Sequence, residues 1–377
     1  MKRDLFVFAG QSNMVGASVY PPKMALSLQN SYEYKHKARR LGATRGQFVL
    51  AGYPVGEFSY TDLPTAYSAE TVNVLGESLL CDYDRNTYFC PSMSNLDSEQ
   101  DHTVVPFVTF SEATAPYGAT LAPFLAEEWE KLGGACAYAH MAKGGVSIKH
   151  FLTEEMSAEY VRRITAFNQT NGTCYSTASP LDRAMPGAAE YFQSKCKDFF
   201  ADAEEFFAND TLSSRCLFWL QGESDISRSS IEYEMMLDVF WDALKKIGFT
   251  HFCCIRVDYF GDDRIERIMR AQESFASHHE DAYLMTRAAS FFTHPEQNES
   301  DWFVVPPDAE YRNCRDSEFG FPNHHINEKG FSLIAKRSAK NLYRILVEGC
   351  EPLLEEENIR TLLQNNTNIS QEGKCII

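Results

Sequence analysis

From Tyr117 onward, short apolar runs alternate with longer segments whose apolar residues recur with helical spacing. The short runs are continuously apolar, which is typical of strands that are buried on both faces of a sheet. Strands and helices that alternate at this spacing form parallel sheets joined by right-handed crossovers. The sequence therefore predicts an α/β fold in which helices cover both faces of a mainly parallel sheet.

The predicted elements follow one another without an internal repeat or a long linker. The predicted helices are residues 119–132, 187–209, 229–247, 263–279 and 327–347. The predicted strands are an N-terminal run that ends before Gly10, then residues 135–141, 215–220, 251–257 and 282–288. We therefore predict one domain over residues 1–350, followed by an acidic helix and a polar tail over residues 351–377.

Three irregular stretches interrupt this pattern, at residues 17–106, 149–186 and 290–323. We interpret them as insertions, because plain loops of such length are uncommon in a compact domain. The first has helical hints only around residues 24–40, and we expect it to pack over one end of the sheet with a small hairpin of its own. Its aromatic side chains predict an insertion core; the alternative is a sugar site in which they stack on pyranose rings. These aromatic residues are Tyr32, Tyr34, Tyr53, Phe58, Tyr60 and Tyr67.

The chain carries a formal net charge of -17 and has a pI near 5.1. A negative mean field repels phosphate groups, so we expect neither a nucleic-acid partner nor binding to an anionic membrane. The first apolar run is too short for a signal peptide, and no run approaches the roughly 18 residues of a membrane span, so a cytoplasmic location is expected. Eleven cysteines without a C-x-x-C pair predict reduced thiols.

The first predicted strand leads into Gly10-Gln11-Ser12-Asn13-Met14. A glycine lets the backbone turn sharply at the strand end, and a helix that starts at the serine directs free N–H groups toward whatever its hydroxyl attacks. This geometry suits a nucleophilic serine. The alternative is that Ser12 only caps the helix, which is the commoner role of a serine in this setting.

Polar loops follow two further predicted strands, at residues 143–147 and 221–225, and residues 323–330 place a histidine pair before the last helix. In an open parallel sheet the loops at the carboxyl ends of the strands gather where ligands bind, so we expect these segments to converge near Ser12. Together they supply a serine, glycine backbone, an amide, a carboxylate and a histidine. These are the parts that acyl transfer requires.

Each segment also has a commoner role when it is taken alone. Gly144-Gly145 would form a turn, Gln221 and Glu223 would cap a helix, and His324 and His325 would lie at the surface or cap the last helix. Zinc binding at the histidine pair lacks a third well-spaced ligand, so we expect no metal and no other cofactor. The joint occurrence of these segments at strand ends favours catalysis.

The motifs resemble those of the SGNH hydrolase superfamily, and within it those of the sialate O-acetylesterases and family 6 carbohydrate esterases, the acetyl xylan esterase group. The resemblance lies in residues 10–14, 143–148, 219–225 and 325–330, and it does not extend into the long insertions. It implies a three-layer αβα, flavodoxin-like fold. It also implies a metal-free serine esterase whose partner is an acetylated carbohydrate such as a sialate or xylan.

Carried over residue by residue, the resemblance makes Ser12 the nucleophile and His325 the base. His325 is preferred to His324 because the asparagine two residues later and the glycine five residues later match the family spacing. Gln221 takes the position of an oxyanion-donor side chain. The backbone N–H groups of Ser12 and Gly145 complete the oxyanion hole, with Gly144 as the alternative to Gly145.

Glu223 takes the position of the acidic group that the carbohydrate esterases are thought to use. The chain departs from the family pattern at Pro322, because an aspartate commonly stands three residues before the histidine. The orienting group is then Glu223, which we favour, or a backbone carbonyl. A third alternative is a catalytically weak or inactive carbohydrate-binding protein of the same fold.

Two predictions remain from the motifs. Gln11, Asn13 and His324 are expected to bind the substrate. A lipid or thioester hydrolase of the same superfamily is a further alternative, but it would need a long apolar groove, whereas the insertions are rich in tyrosine and asparagine.

Overall fold

The protein is described here by a computed structural model. The described residues are 1–15, 26–35, 47–53, 120–142, 145–183, 186–257, 264–293, 304–305, 308–315 and 325–359. Within these ranges no helix combines the length and the apolar character that crossing a lipid bilayer would require.

Seven strands form the main sheet, and two short strands pair separately. The strands are β1 (Lys2–Gly10), β2 (Leu26–Lys35), β3 (Gln47–Tyr53), β4 (Cys136–Ala142), β5 (Thr211–Leu220), β6 (His251–Ile255), β7 (Ala282–Thr286), β8 (Val304–Val305) and β9 (Asn358–Ile359). Across the main sheet their order is β3-β2-β4-β1-β5-β6-β7. All neighbours in it pair parallel except β2 and β3. The predicted mainly parallel sheet is confirmed.

The five strands from β4 to the edge strand β7 follow the order 2-1-3-4-5 of a flavodoxin-like sheet, since β4 and β5 lie on opposite sides of β1. After β1 the chain forms β4 on one side of β1, and it then crosses over to form β5 on the other side. The crevice outside the carboxyl ends of such a pair of strands is where ligands bind in open α/β sheets. Here that position lies between the ends of β1 and β5.

Helices flank the sheet. They are α1 (Ser12–Val15), α2 (Leu121–Lys131), α3 (Glu154–Asn171), α4 (Ala188–Phe206), α5 (Ser230–Lys246), α6 (Ile265–His278) and α7 (Glu328–Tyr343). Helix α2 packs against α7, whereas α5 packs against both α3 and α6. The result is consistent with a three-layer α/β arrangement.

Strands β1 and β5 form the centre of the core. The side chains of residues 5–9 and 216–220 are completely buried. Phe218 on β5 stacks on Phe8 with ring centroids 5.0 Å apart and meets the edge of Phe6 at 5.3 Å. Continuous apolar sequence at both strands thus reflects burial on both faces, as the sequence pattern predicts.

Two expectations about the irregular stretches and one about the C-terminal segment are wrong. Residues 26–35 are a strand and not a helix, with Leu26, Leu28 and Tyr34 buried on it. This strand pairs antiparallel with β3, as the expected hairpin does, but it also pairs parallel with β4. The first insertion therefore widens the main sheet, because a buried strand satisfies its backbone groups best beside another strand.

The second stretch contains helix α3, where an irregular insertion was expected. Thr153 caps its start by accepting a hydrogen bond from Met156 N, and Gly172 ends it with a left-handed φ of 64°. Its buried apolar side chains are Met156, Tyr160 and Ile164, each four residues apart. Such a narrow stripe is weak evidence in the sequence, although it is enough to hold the helix on the core.

No helix forms over the described part of the C-terminal segment, residues 351–359. Acidic side chains here bind basic and polar groups at the ends of β6 and β7 instead of starting a helix. Glu355 accepts hydrogen bonds from Thr286 Oγ1 at 2.5 Å and Arg287 N at 2.7 Å. Glu357 pairs with the buried Arg256. The remaining tail lies outside the described residues, and the predicted domain limits stay a prediction.

Candidate active site

The turn that carries Ser12 depends on Gly10, the last residue of β1. Gly10 has a φ of 155°, and a Cβ at this position would lie 2.0 Å from the backbone oxygen of Leu220 at the end of β5. The next residue, Gln11, donates a backbone hydrogen bond of 3.1 Å to the same oxygen. Only glycine allows the two strand ends to approach this closely. The sequence prediction of a glycine-dependent turn before the serine is therefore confirmed.

Ser12 is the first residue of α1 and is half-buried. Within the described ranges its hydroxyl makes no hydrogen bond, so a Ser12–His325 hydrogen bond is not formed in this structure. His325 is also half-buried. Hydrogen bonds between catalytic groups are often long before substrate binds and tighten only in the complex.

Asn13, directly after the serine, joins two distant segments. Its Nδ2 donates to Glu223 Oε1 at 2.8 Å, and its Oδ1 accepts a hydrogen bond of 3.0 Å from Ile326 N. The side chain is buried. One amide therefore fixes Glu223 and the backbone beside His325 to the turn that carries Ser12.

Gln11 and Gln221 form the second link between the strand ends, and both side chains are buried. Gln221 Nε2 donates to Gln11 Oε1 at 3.2 Å, to Val146 O at 3.1 Å and to Asp225 Oδ2 at 2.7 Å. Gln11 Oε1 also accepts from Ser224 N at 3.1 Å. The two hydrogens of the Gln221 amide thus face three acceptors inside the protein.

These contacts give Gln11, Asn13 and Gln221 positioning roles. The direct substrate contacts expected for Gln11 and Asn13, and the oxyanion role expected for the Gln221 side chain, stay predictions. Burial argues against them in this conformation, because a side chain must reach the reacting centre to bind it. Sequence reasoning assigned these residues by motif alone, and motifs do not report which way an amide faces.

Tyr233 on α5 is a partner of Gln221 that sequence reasoning missed. Its hydroxyl donates to Gln221 Oε1 at 2.8 Å and to Gln221 O at 2.9 Å. Burial raises the pKa of Tyr233 well above its usual value, and the negative charge of Asp225 raises that pKa further. The phenol therefore keeps the proton that it donates. Nothing in the sequence distinguishes this tyrosine from an ordinary core residue of an amphipathic helix.

Glu223 follows Gly222, the second glycine that the site requires. Gly222 has a φ of 149°, and a Cβ there would lie 2.4 Å from Ile268 Cγ2 and 2.8 Å from Val257 Cγ1. The close approach of α6 and the end of β6 leaves no room for a side chain. Glu223 then begins a short 3₁₀ helix, Glu223–Asp225, and lies half-buried beside Asn13.

The loop after β4 contributes backbone groups. Gly145 is exposed and has a φ of 71°, in the left-handed region that favours glycine. Val146 O accepts the hydrogen bond from Gln221, and Ser147 Oγ donates to Asp225 Oδ1 at 2.5 Å. The loop is therefore fastened beside the end of β5. Gly144, the alternative oxyanion donor, lies outside the described residues.

The segment at His325 is held from both sides. Ile326 bridges to Arg315 in antiparallel fashion, and Asn327 N donates to Cys314 O at 3.0 Å. The Asn327 side chain caps α7 by accepting from Gly330 N at 3.1 Å. The asparagine and glycine of the motif thus place the start of α7. His324 and Pro322 lie outside the described residues.

The aromatic residues of the first insertion divide into two groups. Tyr34 is buried against Phe48 and Phe199, and the half-buried Tyr32 packs on Phe206 and Phe207. These two tyrosines belong to the core, as the insertion-core interpretation predicts. The side chains of Tyr53, Phe58, Tyr60 and Tyr67 lie outside the described residues.

Within the described ranges no cluster of three or more His, Cys, Asp or Glu side chains has the arrangement of a metal site. The polar groups that the described residues bring to this edge of the sheet include Ser12, His325 and Glu223. A hydroxyl, an imidazole and a carboxylate at a ligand-binding edge of the sheet suit acyl transfer.

Comparisons with known proteins give weak similarity. No protein-family model and no curated protein matches the chain. A protein from Arabidopsis thaliana is similar in structure, with a TM-score of 0.42 and 11% identity over 91% of this chain and 99% of that one. A carbohydrate acetylesterase from Xanthomonas citri gives a TM-score of 0.41 and 11% identity over 92% of this chain and 57% of that one. The family resemblance therefore stays a prediction from the four motifs.

Proposed function

We propose that the protein is a serine esterase that removes O-acetyl groups from carbohydrates. The observation that carries the proposal is the double hydrogen bond of Asn13, which ties the Ser12 turn to both Glu223 and the His325 segment. Asn13 is separated in the chain from Glu223 by 210 positions and from Ile326 by 313. If Ser12 only capped the helix, a carboxylate and a histidine segment would not need to be hydrogen-bonded to the same buried amide beside it.

The location supports the same conclusion. Ser12 follows β1 and Glu223 follows β5, the two strands between which the chain reverses direction across the sheet. This is the position where open α/β sheets bind their ligands. The Gly145 loop is held beside it through Gln221, so backbone donors and the nucleophile share one edge.

The reaction would proceed in two steps. His325 takes the proton of Ser12, whose oxygen attacks the acetyl carbonyl, and the N–H groups of Ser12 and Gly145 stabilise the oxyanion. His325 then gives the proton to the departing sugar hydroxyl, which leaves an acetyl-Ser12 ester. In the second step His325 deprotonates water, which attacks this ester and releases acetate and Ser12.

Glu223 is the acid in this mechanism. It supports the position of His325 through Asn13, whose Oδ1 holds the amide of Ile326 directly after the base. The choice of an acetylated carbohydrate as the substrate rests on the motif resemblance. The short polar segments around Ser12 suit a small acyl group better than a long apolar chain.

The decisive experiment compares the wild type with Ser12→Ala on p-nitrophenyl acetate and on a panel of acetylated saccharides, with acetate release as the measurement. Ser224→Ala is a matched control, because Ser224 is an exposed serine in the neighbouring loop. We expect Ser12→Ala to lose hydrolysis and Ser224→Ala to keep it. A series of p-nitrophenyl esters of increasing acyl length tests the preference for acetyl.

Three outcomes would contradict the proposal. Hydrolysis that does not depend on Ser12 would remove the nucleophile. Rates that rise with acyl length would favour a lipid or thioester hydrolase instead. Binding of saccharides without any turnover would favour the inactive carbohydrate-binding protein.

A further inference from the structure

Asp225 is a buried carboxylate that the proposed mechanism does not use. Its side chain is 1% exposed. Oδ1 accepts hydrogen bonds from Ser147 Oγ at 2.5 Å and Arg228 Nε at 2.7 Å. Oδ2 accepts from Ile148 N and Gln221 Nε2, both at 2.7 Å. Four donors thus surround one carboxylate.

These donors come from two sides of the site. Ser147 and Ile148 belong to the loop after β4, while Gln221 directly follows β5 and Arg228 lies just beyond Asp225 itself. Hydrogen bonds to an ionised acceptor are about twice as strong as neutral ones. The carboxylate therefore joins the β4 loop to the Gln221–Asp225 loop more firmly than neutral side chains would.

The attachment points lie on the C-terminal side of Gly145. Gln221, itself held by Asp225, donates to Val146 O, and Asp225 binds Ser147 and Ile148 directly. Three consecutive residues after Gly145 are thus fixed. Among the described residues, no atom lies within 4 Å of a Cβ built at Gly145, so no described side chain packs against that position. Its orientation depends on the residues that follow it.

We infer that Asp225 is a positioning residue that holds the Gly145–Ser147 loop so that its backbone N–H groups face the oxyanion formed at Ser12. This inference rests on the proposed function for its effect on rate, but the loop attachment is testable without any activity. An oxyanion donor that shifts away lowers the rate of the chemical step more than it lowers substrate binding.

The first test is Asp225→Asn. The amide keeps the shape of the side chain, but it places an NH₂ group against donors that need an acceptor. We expect kcat for p-nitrophenyl acetate to fall by roughly 10²-fold, the typical loss on removal of one oxyanion donor, with KM nearly unchanged. Asp202→Asn is the matched control, because Asp202 on α4 is a buried carboxylate that accepts a hydrogen bond from Tyr34 Oη on β2, away from the site. It should lower stability without changing kcat.

The second test uses Ser147, whose hydroxyl makes one of the four hydrogen bonds and also accepts a weak one from Lys149 N at 3.4 Å. Ser147→Ala should reduce kcat by about tenfold, and Ser147→Thr should restore it because the hydroxyl returns. This pair keeps the inference testable if Asp225→Asn does not fold.

Amide hydrogen exchange separates this inference from the proposed function. Asp225→Asn, or Ser147→Ala in its place, should speed exchange at Ile148 and its neighbours while α5 keeps wild-type protection. Unchanged exchange at Ile148 in a folded variant would overturn the inference whatever the activity. Faster exchange with unchanged kcat in an active enzyme would also overturn it. A wild type without Ser12-dependent hydrolysis contradicts the proposed function instead, and exchange then decides whether Asp225 holds the loop.

Discussion

Asn13 donates a hydrogen bond of 2.8 Å from its side-chain nitrogen to Glu223 Oε1, across 210 positions of the chain. Its oxygen accepts from Ile326 N on the opposite side. An amide can do both because it carries a donor and an acceptor, whereas a carboxylate could not donate and an apolar residue could do neither. The residue after the nucleophile thus connects the acidic and the basic parts of the candidate site.

Asn13→Ala tests this connection. Removal of the amide leaves the Ile326 N–H and one side of Glu223 without their partner, which costs about 1–3 kcal/mol for a buried group. We expect lower stability to urea and, in addition, a loss of kcat of roughly tenfold or more. Asn341→Ala is the matched control. Asn341 lies buried on α7, donates a hydrogen bond to Met285 O and accepts one from Leu353 N. The control variant should be destabilised to a similar extent without a loss of kcat; an equal effect of both variants on kcat would refute the role of Asn13.

Glu223→Gln tests the acid. The substitution preserves the size of the side chain but removes its charge, so the imidazolium formed at His325 loses stabilisation. We expect kcat for acetyl esters to fall by about 10²–10⁴-fold, measured with p-nitrophenyl acetate at pH 8. Glu234→Gln is the control and should leave kcat unchanged. Glu234 is a half-buried glutamate on α5 that accepts a hydrogen bond from Ser274 Oγ on α6. Near-normal turnover of Glu223→Gln would eliminate Glu223 as the acid.

His325→Ala and His324→Ala together identify the base. We expect the first to lose at least about 10²-fold in kcat, because general base catalysis contributes this much. The second should keep kcat and change only KM, since His324 is expected to bind the substrate. Only neutral imidazole accepts the Ser12 proton. Wild-type activity should therefore fall as the pH is lowered and the imidazole becomes protonated. The opposite ranking of the two variants would move the base to His324.

Gly10→Ala tests the turn before the serine. Alanine would place a Cβ 2.0 Å from Leu220 O and would have to adopt a φ of 155°. We expect a loss of about 3 kcal/mol or more in the free energy of unfolding, measured in urea, together with loss of activity. Gly133→Ala is the control, because its φ is 85° but nothing lies within 4 Å of the added Cβ. Its cost should be near 1 kcal/mol.

Glu159 on α3 predicts a pH dependence of stability that is independent of the site. Hydrogen bonds from Arg162 and Arg163 lower the pKa of Glu159 from 4.5 to about 2. Because the folded state favours the charged form, the contribution to stability is present above pH 4.5 and is lost as the pH falls toward 2. Glu159→Gln should lower Tm by no more than about 2 °C at pH 6, since the side chain is partly exposed. The difference should vanish near pH 2; a difference that persists there would show that lost packing causes it. Glu155→Gln is the control on the same helix, where the side chain is 86% exposed.

The sequence predicts the central strands well because strands that are buried on both faces consist of unbroken runs of apolar residues. The completely buried run at residues 216–220 of β5 cannot be mistaken for a solvent-facing element. Gly10 is predictable for a related reason: a glycine between an apolar run and a serine has few purposes other than a tight turn. Such features depend on local sequence.

The features that were missed depend on distant partners. Strand β2 exposes Gln29 and Asn30 in its middle, so its pattern is interrupted, and it is stabilised by β4 about 100 residues later. Motifs assign Asn13 and Gln221 to substrate or oxyanion contacts, which stay predictions, but they do not reveal that both amides are buried and bonded within the protein. The direction of a buried amide is set by what the rest of the chain places around it, which no single motif contains.

The hydrogen bond from Ile326 N to Asn13 Oδ1 spans 313 positions, and this separation has a consequence for synthesis. At about 5–20 residues per second on the ribosome, the serine turn emerges roughly 15–60 s before its last partner. Throughout that interval the nascent chain carries Ser12 without the segment that holds His325. Under the proposed function, hydrolysis would begin only when α7 docks against α2, so the appearance of activity would mark the completion of folding.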